Sequence, residues 1–155
     1  MRVWMMAGIA TVALAACGAH HDAKVAVKKL LNDPDSAKFS EMQDGKNQGD
    51  ACGLVNAKNR MGGYVGNTPF FYQKSTSTVA IVKGPEDSDF RMLWLGIKAG
   101  NFSDDLDKLL DQCRVANQWG TVCSNPLPQP VHPYCAVVLG NTSAIYEKLR
   151  DAYDR

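Results

Sequence analysis

The sequence predicts an α+β domain: an N-terminal helix, an antiparallel four- to five-stranded sheet, helices packed on one face of it, and two disulfides. Three observations predict this. Apolar residues recur at helical spacing before residue 32 and again after residue 90. β-prone runs separated by turn residues fill the stretch between, and four cysteines lie beyond residue 50. Side chains on one helix face repeat at three and four residues and those on one strand face at two, so the two patterns separate the element types.

The chain opens with one positive charge, Arg2, and continues uncharged from Val3 to Ala16. That layout predicts a secretory signal peptide over residues 1–16. Its apolar run of roughly 14 residues is short of the roughly 20 that cross a bilayer as a helix. Leu14-Ala15-Ala16-Cys17, followed by Gly18, resembles the lipobox of bacterial lipoproteins. The resemblance implies that Cys17 carries diacylglycerol and an N-acyl chain of the palmitate type and becomes the first mature residue. It also implies that the protein, lacking Asp after the cysteine, is retained at the outer membrane facing the periplasm. A plain cleaved signal is the competing reading, and it leaves Cys17 as an odd thiol. Residues 17–22 are expected to form a tether and residues 23–155 a single domain, for which the length suffices.

The chain has 17 Lys and Arg against 16 Asp and Glu, and removal of Arg2 with the signal makes the two equal. That balance speaks against broad electrostatic capture of nucleic acid. With Cys17 set aside, Cys52, Cys113, Cys123 and Cys135 form an even set in an exported chain, and two disulfides are the reading. Four cysteines allow three connectivities. Cys52 with Cys113 and Cys123 with Cys135 is favoured, because the short loop between the latter two is rich in proline. No Cys-x2-Cys pair supports zinc or disulfide exchange.

After the tether, Ala23, Val27, Leu30 and Leu31 define one face of a helix that Asp22 can cap. Asn32-Asp33-Pro34 ends it and starts a short turn through Ser36. Phe39–Met42 and Ala51–Ala57 read as strands around a polar turn, and Lys58–Asn67 is a loop with Gly62, Gly63 and Gly66. Asp33-Pro34-Asp35-Ser36-Ala37-Lys38-Phe39, Cys52-Gly53-Leu54-Val55-Asn56-Ala57-Lys58-Asn59 and Gly62-Gly63-Tyr64-Val65-Gly66 together resemble an uncharacterised family of small exported bacterial proteins, from about residue 28 to 82. Leu54 departs from the polar residue the family pattern would place there. The resemblance brings no activity or ligand. On their own chemistry, Asn56, Lys58, Asn59, Arg60 and Tyr64 form a candidate binding set for a glycan or a peptide carboxylate. The competing structural reading is a hairpin connection with an aromatic residue packed back on the sheet.

Pro69–Lys74 and Thr76–Lys83 read as the third and fourth strands. Phe90, Leu93, Trp94 and Ile97 mark a helix capped by Asp87 or Ser88 and stopped by Gly100. Leu106, Leu109, Leu110 and Cys113 mark another, capped by Ser103. Gly120–Pro133 is expected as an extended connection, Tyr134–Leu139 as a short strand, and a last helix carries Ile145, Leu149, Ala152 and Tyr153 on one face.

Chemistry is sparse. His20 and His21 lie on the tether, and His132 is expected as a rim histidine without a partner. Asp104, Asp105, Asp107 and Asp111 lack the glycine and terminal glutamate of an EF-hand loop. Glu41, Glu86 and Glu147 sit in no recognisable glycosidase setting. The expectation is therefore no enzyme, no cofactor and no metal. It is a lipid-anchored, periplasm-facing binding protein with a protein partner, in its sharpest form an immunity or inhibitor protein against a cell-wall-degrading effector. A structural accessory of envelope assembly and a cryptic cell-wall enzyme are the alternatives.

Overall fold

The computed structural model describes residues 12–154, with side chains from Gly18 onward. The expected signal segment as far as Thr11 and the side chain of Cys17 lie outside the described residues. The elements are α1 (Val12–Lys28), β1 (Lys38–Asp44), β2 (Ala51–Asn56), β3 (Thr68–Gln73), β4 (Thr78–Ile81), α2 (Asp87–Ala99), α3 (Ser103–Val122), α4 (Tyr134–Gly140) and α5 (Thr142–Tyr153), with one 3-10 turn at Pro34–Ser36. Among the described residues no helix is long and apolar enough to cross a membrane.

The strands form an antiparallel meander in the order β1-β2-β3-β4. Both faces of its centre are covered. Ala51 and Val55 of β2 with Phe70 and Tyr72 of β3 meet Ala23 and Val27 of α1, whereas Cys52 and Phe71 meet Ala116, Trp119 and Val122 of α3. Period-two alternation on β2 and β3 thus feeds two helices at once, which explains why β2 is buried from Ala51 to Val55. Each large apolar side chain fully buried there contributes about 1.5–3 kcal/mol.

The helices packed on the α3 face are led by α3 itself. Its 20 residues span about 30 Å. The C-terminal half lies on the sheet, and Leu109 nearer the N-terminus joins Phe90, Leu93 and Trp94 of α2, Val138 of α4, and Ile145 and Leu149 of α5 in a second core. Glu86, Phe102 and Asn141 occupy the N-cap positions of α2, α3 and α5. The first two caps lie one or two residues before those expected.

Residue by residue, the element boundaries and then the disulfides correct what the sequence led one to expect. Residues 134–139 are helical: the buried pair is Cys135 and Val138, a spacing of three that fits a helix and not a strand. The expected tether from Gly18 to Asp22 is part of α1, so Asp22 is not its N-cap. Ala19 is buried instead, and Asp22 pairs with Lys74 at 2.6 Å. Because α1 ends at Lys28, Leu30 leaves the apolar stripe and is exposed, while Leu31 packs against the α1-side core.

The disulfide pairing is corrected to Cys52–Cys123 and Cys113–Cys135. Helix α3 runs well past Cys113 to Val122. Ten residues of helix separate the two sulfur positions on it by about 15 Å, so they face different neighbours. Cys123 reaches the sheet, where Gly45 bridges it and the Lys46 N–H donates to Val122 O at 2.7 Å, and Cys113 reaches α4. The expected extended connection therefore starts only after Val122. It is pinned by the Trp119 indole N–H, which donates to Asn125 O at 2.8 Å, and by the Asn125 amide on Gln43.

The sheet's two ends are distinct. The β1–β2 and β3–β4 turns lie beside the middle of α1, where His20 Nε2 is 3.1 Å from Asp44 Oδ1 and Asp22 meets Lys74. The β2–β3 connection lies at the other end, beside Leu31 and Asn32, where the Arg60 Nε–H donates to Asn32 Oδ1 at 3.3 Å.

Candidate functional site

The β2–β3 connection brings together all the residues singled out as a candidate binding set, and it uses some of them on itself. Asn59 Oδ1 accepts from the N–H of Met61 at 2.9 Å and of Gly63 at 3.1 Å, and the Asn59 N–H donates to Gly63 O at 2.8 Å. Asn56 Oδ1 accepts from Gly66 N–H at 3.1 Å. Gly62 and Gly66 take φ of 80° and 92°, a left-handed backbone that glycine adopts without the penalty a Cβ imposes. The two asparagines are therefore structural: they replace the ladder bonds that the loop's backbone cannot make to a strand.

The turn before β1 locks onto this loop. Asp33 Oδ1 accepts from the Ser36 N–H at 3.2 Å, and the Ser36 hydroxyl donates to Asp33 O at 2.8 Å while accepting from the Lys58 N–H at 2.9 Å. Tyr64 lies opposite Lys58 in an isolated bridge, and its hydroxyl donates to Ser36 O at 3.4 Å. The stretches 33–39 and 52–66, grouped in the sequence only by a resemblance, thus build one corner of the fold.

Apart from the exposed Asp35 of the turn, what the corner presents outward is mainly cationic and apolar. The Tyr64 ring has the Lys38 ammonium 4.5 Å and the Lys58 ammonium 5.7 Å from its centroid, within cation–π range. Among the described residues no ion pair involves Lys38, Lys58, Arg60 or Lys83. Met61 is 93% exposed and Val65 57% exposed. A cavity of about 160 Å³ opens beside the loop, walled by Leu31, Val55, Ala57, Val65 and Ile81, with Lys58 and Lys83 also lining it.

No family model, curated protein or solved structure matches this chain.

The other candidates are dispersed or committed. His132, expected to lack a partner, has two: its Nε2 is 2.9 Å from Asp87 Oδ1, and its Nδ1 accepts from the Tyr134 N–H at 3.2 Å. The ring stacks on Phe90 at 4.3 Å between centroids. Both nitrogens are used on groups that are not nucleophiles, so His132 holds the entry to α4 rather than activating a hydroxyl. Burial, then Asp87 and Tyr134, lift the neighbouring Tyr153 phenol above its ordinary value. Glu41 sits in the β1 bulge at φ 51°, Glu86 caps α2 and Glu147 is exposed on α5, so the three glutamates lie on separate elements. Asp104 and Asp105 occupy the first turn of α3, and Asp107 and Asp111 follow on its exposed surface. His21 is exposed.

Ser36, Lys38, Met61 and Lys83 were absent from the candidate set. Ser36 carried only a local signal, as part of a turn, and its partner Lys58 is 22 residues away. Nothing in the sequence places Lys38 or Lys83 beside Tyr64 or the cavity.

Proposed function

We propose that this chain is a lipid-anchored, periplasm-facing binding protein, held at the outer membrane through Cys17 and meeting a protein partner with the loop 58–67. Its sharpest form is an immunity or inhibitor protein that docks on a cell-wall-degrading effector, with no catalysis of its own. The observation that carries the reading is the Tyr64 loop: its backbone is prepaid in internal hydrogen bonds, and beside two exposed asparagines it presents one tyrosine, cations without ion pairs and two apolar residues. Interface anchors are enriched in tyrosine and arginine, which the loop supplies at Tyr64 and Arg60, and a preorganised loop loses little entropy on docking. The loop also lies at the end of α1 remote from residue 17, about 16 Å along the helix from Cys17 to Lys28. An anchor at that residue would leave the loop facing away from the bilayer. The committed nitrogens of His132 support a role without acyl transfer.

The test is genetic. A strain lacking this gene should die only when a neighbouring effector gene is expressed into the periplasm, and the wild-type gene should rescue it where Tyr64→Asp or Cys17→Ala does not. Survival of the deletion strain rejects the immunity role. Absence of label from a fatty-acid probe on the wild-type protein rejects the anchor.

A further inference from the structure

The cavity beside the Tyr64 loop has the size and chemistry of a socket for one side chain. At about 160 Å³ it is below the roughly 300 Å³ at which pockets take drug-sized ligands or cofactors. Its walls are aliphatic, from Leu31 at the end of α1 to Val65 in the loop and Ile81 at the end of β4. Of its polar lining, Asn59 is spent on the loop backbone and Asn32 on Arg60. Besides the Thr68 hydroxyl, the groups left over are Lys58 and Lys83, the charged ones, neither in an ion pair among the described residues.

We propose that this cavity takes an aliphatic side chain of the partner protein while Lys58 and Lys83 hold a carboxylate on the adjoining residue. The partner segment is thus a leucine or isoleucine flanked by Asp or Glu. Charge complementarity decides for such an occupant: Lys38 and Arg60 extend the same cationic rim past Tyr64, and an acidic segment neutralises that rim while a neutral or basic one leaves the cations desolvated and unpaired. The inference deepens the binding role proposed above and rests on it for the source of the ligand, a protein rather than a lipid headgroup.

The experiment uses the intact oxidised protein and three capped peptides, Asp-Leu-Glu, Asn-Leu-Gln and Asp-Gly-Glu, followed by amide chemical shifts. Asp-Leu-Glu should saturably shift Lys58, Val65 and Ile81, and each control should bind roughly tenfold more weakly or worse. The Lys58→Gln, Lys83→Gln double variant, which keeps the alkyl stems that line the cavity and removes the two charges, should bring Asp-Leu-Glu down to the level of Asn-Leu-Gln. Equal binding of the three peptides, or shifts centred elsewhere, overturns the socket. Sedimentation with phosphatidylglycerol vesicles that depends on the same two lysines, without peptide binding, overturns the assignment to a protein. The peptide measurement needs neither lipid anchor nor effector, so its failure and a failure of the genetic test are separate results.

Discussion

Asp50 is the buried charged side chain of the described core, 1% exposed, and it joins two turns. Oδ1 accepts from the Lys74 N–H at 2.8 Å and Oδ2 from the Asn47 amide at 3.0 Å, while its own carbonyl accepts from the Gly45 N–H at 2.8 Å. A carboxylate holding one backbone and one side-chain N–H in this way cannot be truncated without leaving both unpaired. Asp50→Ala should lower stability by about 2–3 kcal/mol in urea unfolding, and a loss under about 0.5 kcal/mol would show that water replaces the carboxylate there. Single residues were legible in the sequence where their partners are near. Asp33 reads as a cap because it acts on Ser36, three residues on. Ser36 itself did not read as a link to Lys58, since composition and periodicity carry no information about a contact that depends on how two elements meet. Gly53 shows the same limit: a Cβ there would come within 2.8 Å of Met42 Sδ and 3.2 Å of the Phe70 ring, a constraint visible only once β1, β2 and β3 are side by side.

Elements followed their hydrophobic period wherever they were long enough to have one. The stripe Phe90, Leu93, Trp94 is the buried face of α2, and the left-handed Gly100 ends that helix as glycine at this position does. The run Tyr134–Leu139 was too short for its period to separate helix from strand, and its β-branched valines pointed the wrong way. The loop 58–67 was legible as a glycine-rich connection, but which of its polar residues face outward was not. The side-chain carbonyls of two asparagines that looked like ligand groups are taken by the loop's own backbone, and the lysines are left without ion pairs. Helices α2 and α3 are tied by Asp89, which accepts from the Glu86 N–H at 3.0 Å and pairs with Lys108 at 2.9 Å. Burial raises the Asp89 carboxyl, but the Glu86 N–H and the Lys108 ammonium outweigh it and hold the group below its ordinary value. A depressed carboxyl stabilises the fold above the ordinary carboxylate range and ceases to do so as pH falls through its folded value. Asp89→Ala should therefore cost about 1 kcal/mol at pH 7, and the gap to wild type should narrow in unfolding curves taken below about pH 3. A gap independent of pH would assign the cost to packing instead.

For the molecule as a whole, α+β architecture, four strands and two disulfides were legible, and the connectivity of the sulfurs was not. Spacing favoured the pairing that closes the proline-rich loop, but the length of α3 decides, because it carries Cys113 to the helical core and Cys123 to the sheet. Chain-entropy arithmetic for separations of 71 and 22 residues gives about 4 and about 3 kcal/mol of stabilisation. Replacing Cys52 and Cys123 together by alanine should thus cost more than replacing Cys113 and Cys135, as read by thermal unfolding of the two double variants.

The bridges interleave along the chain: each encloses one end of the other. A protease that cuts once, anywhere from residue 53 to residue 134, leaves two fragments still tied by sulfur, including cuts between Cys113 and Cys123 that the sequential pairing of Cys52 with Cys113 and Cys123 with Cys135 would let go. Protein nicked after Arg114 should migrate intact on a gel run without thiols and as two bands once dithiothreitol is added. A single nick in that span would thus change the covalent path of the chain without parting its two ends.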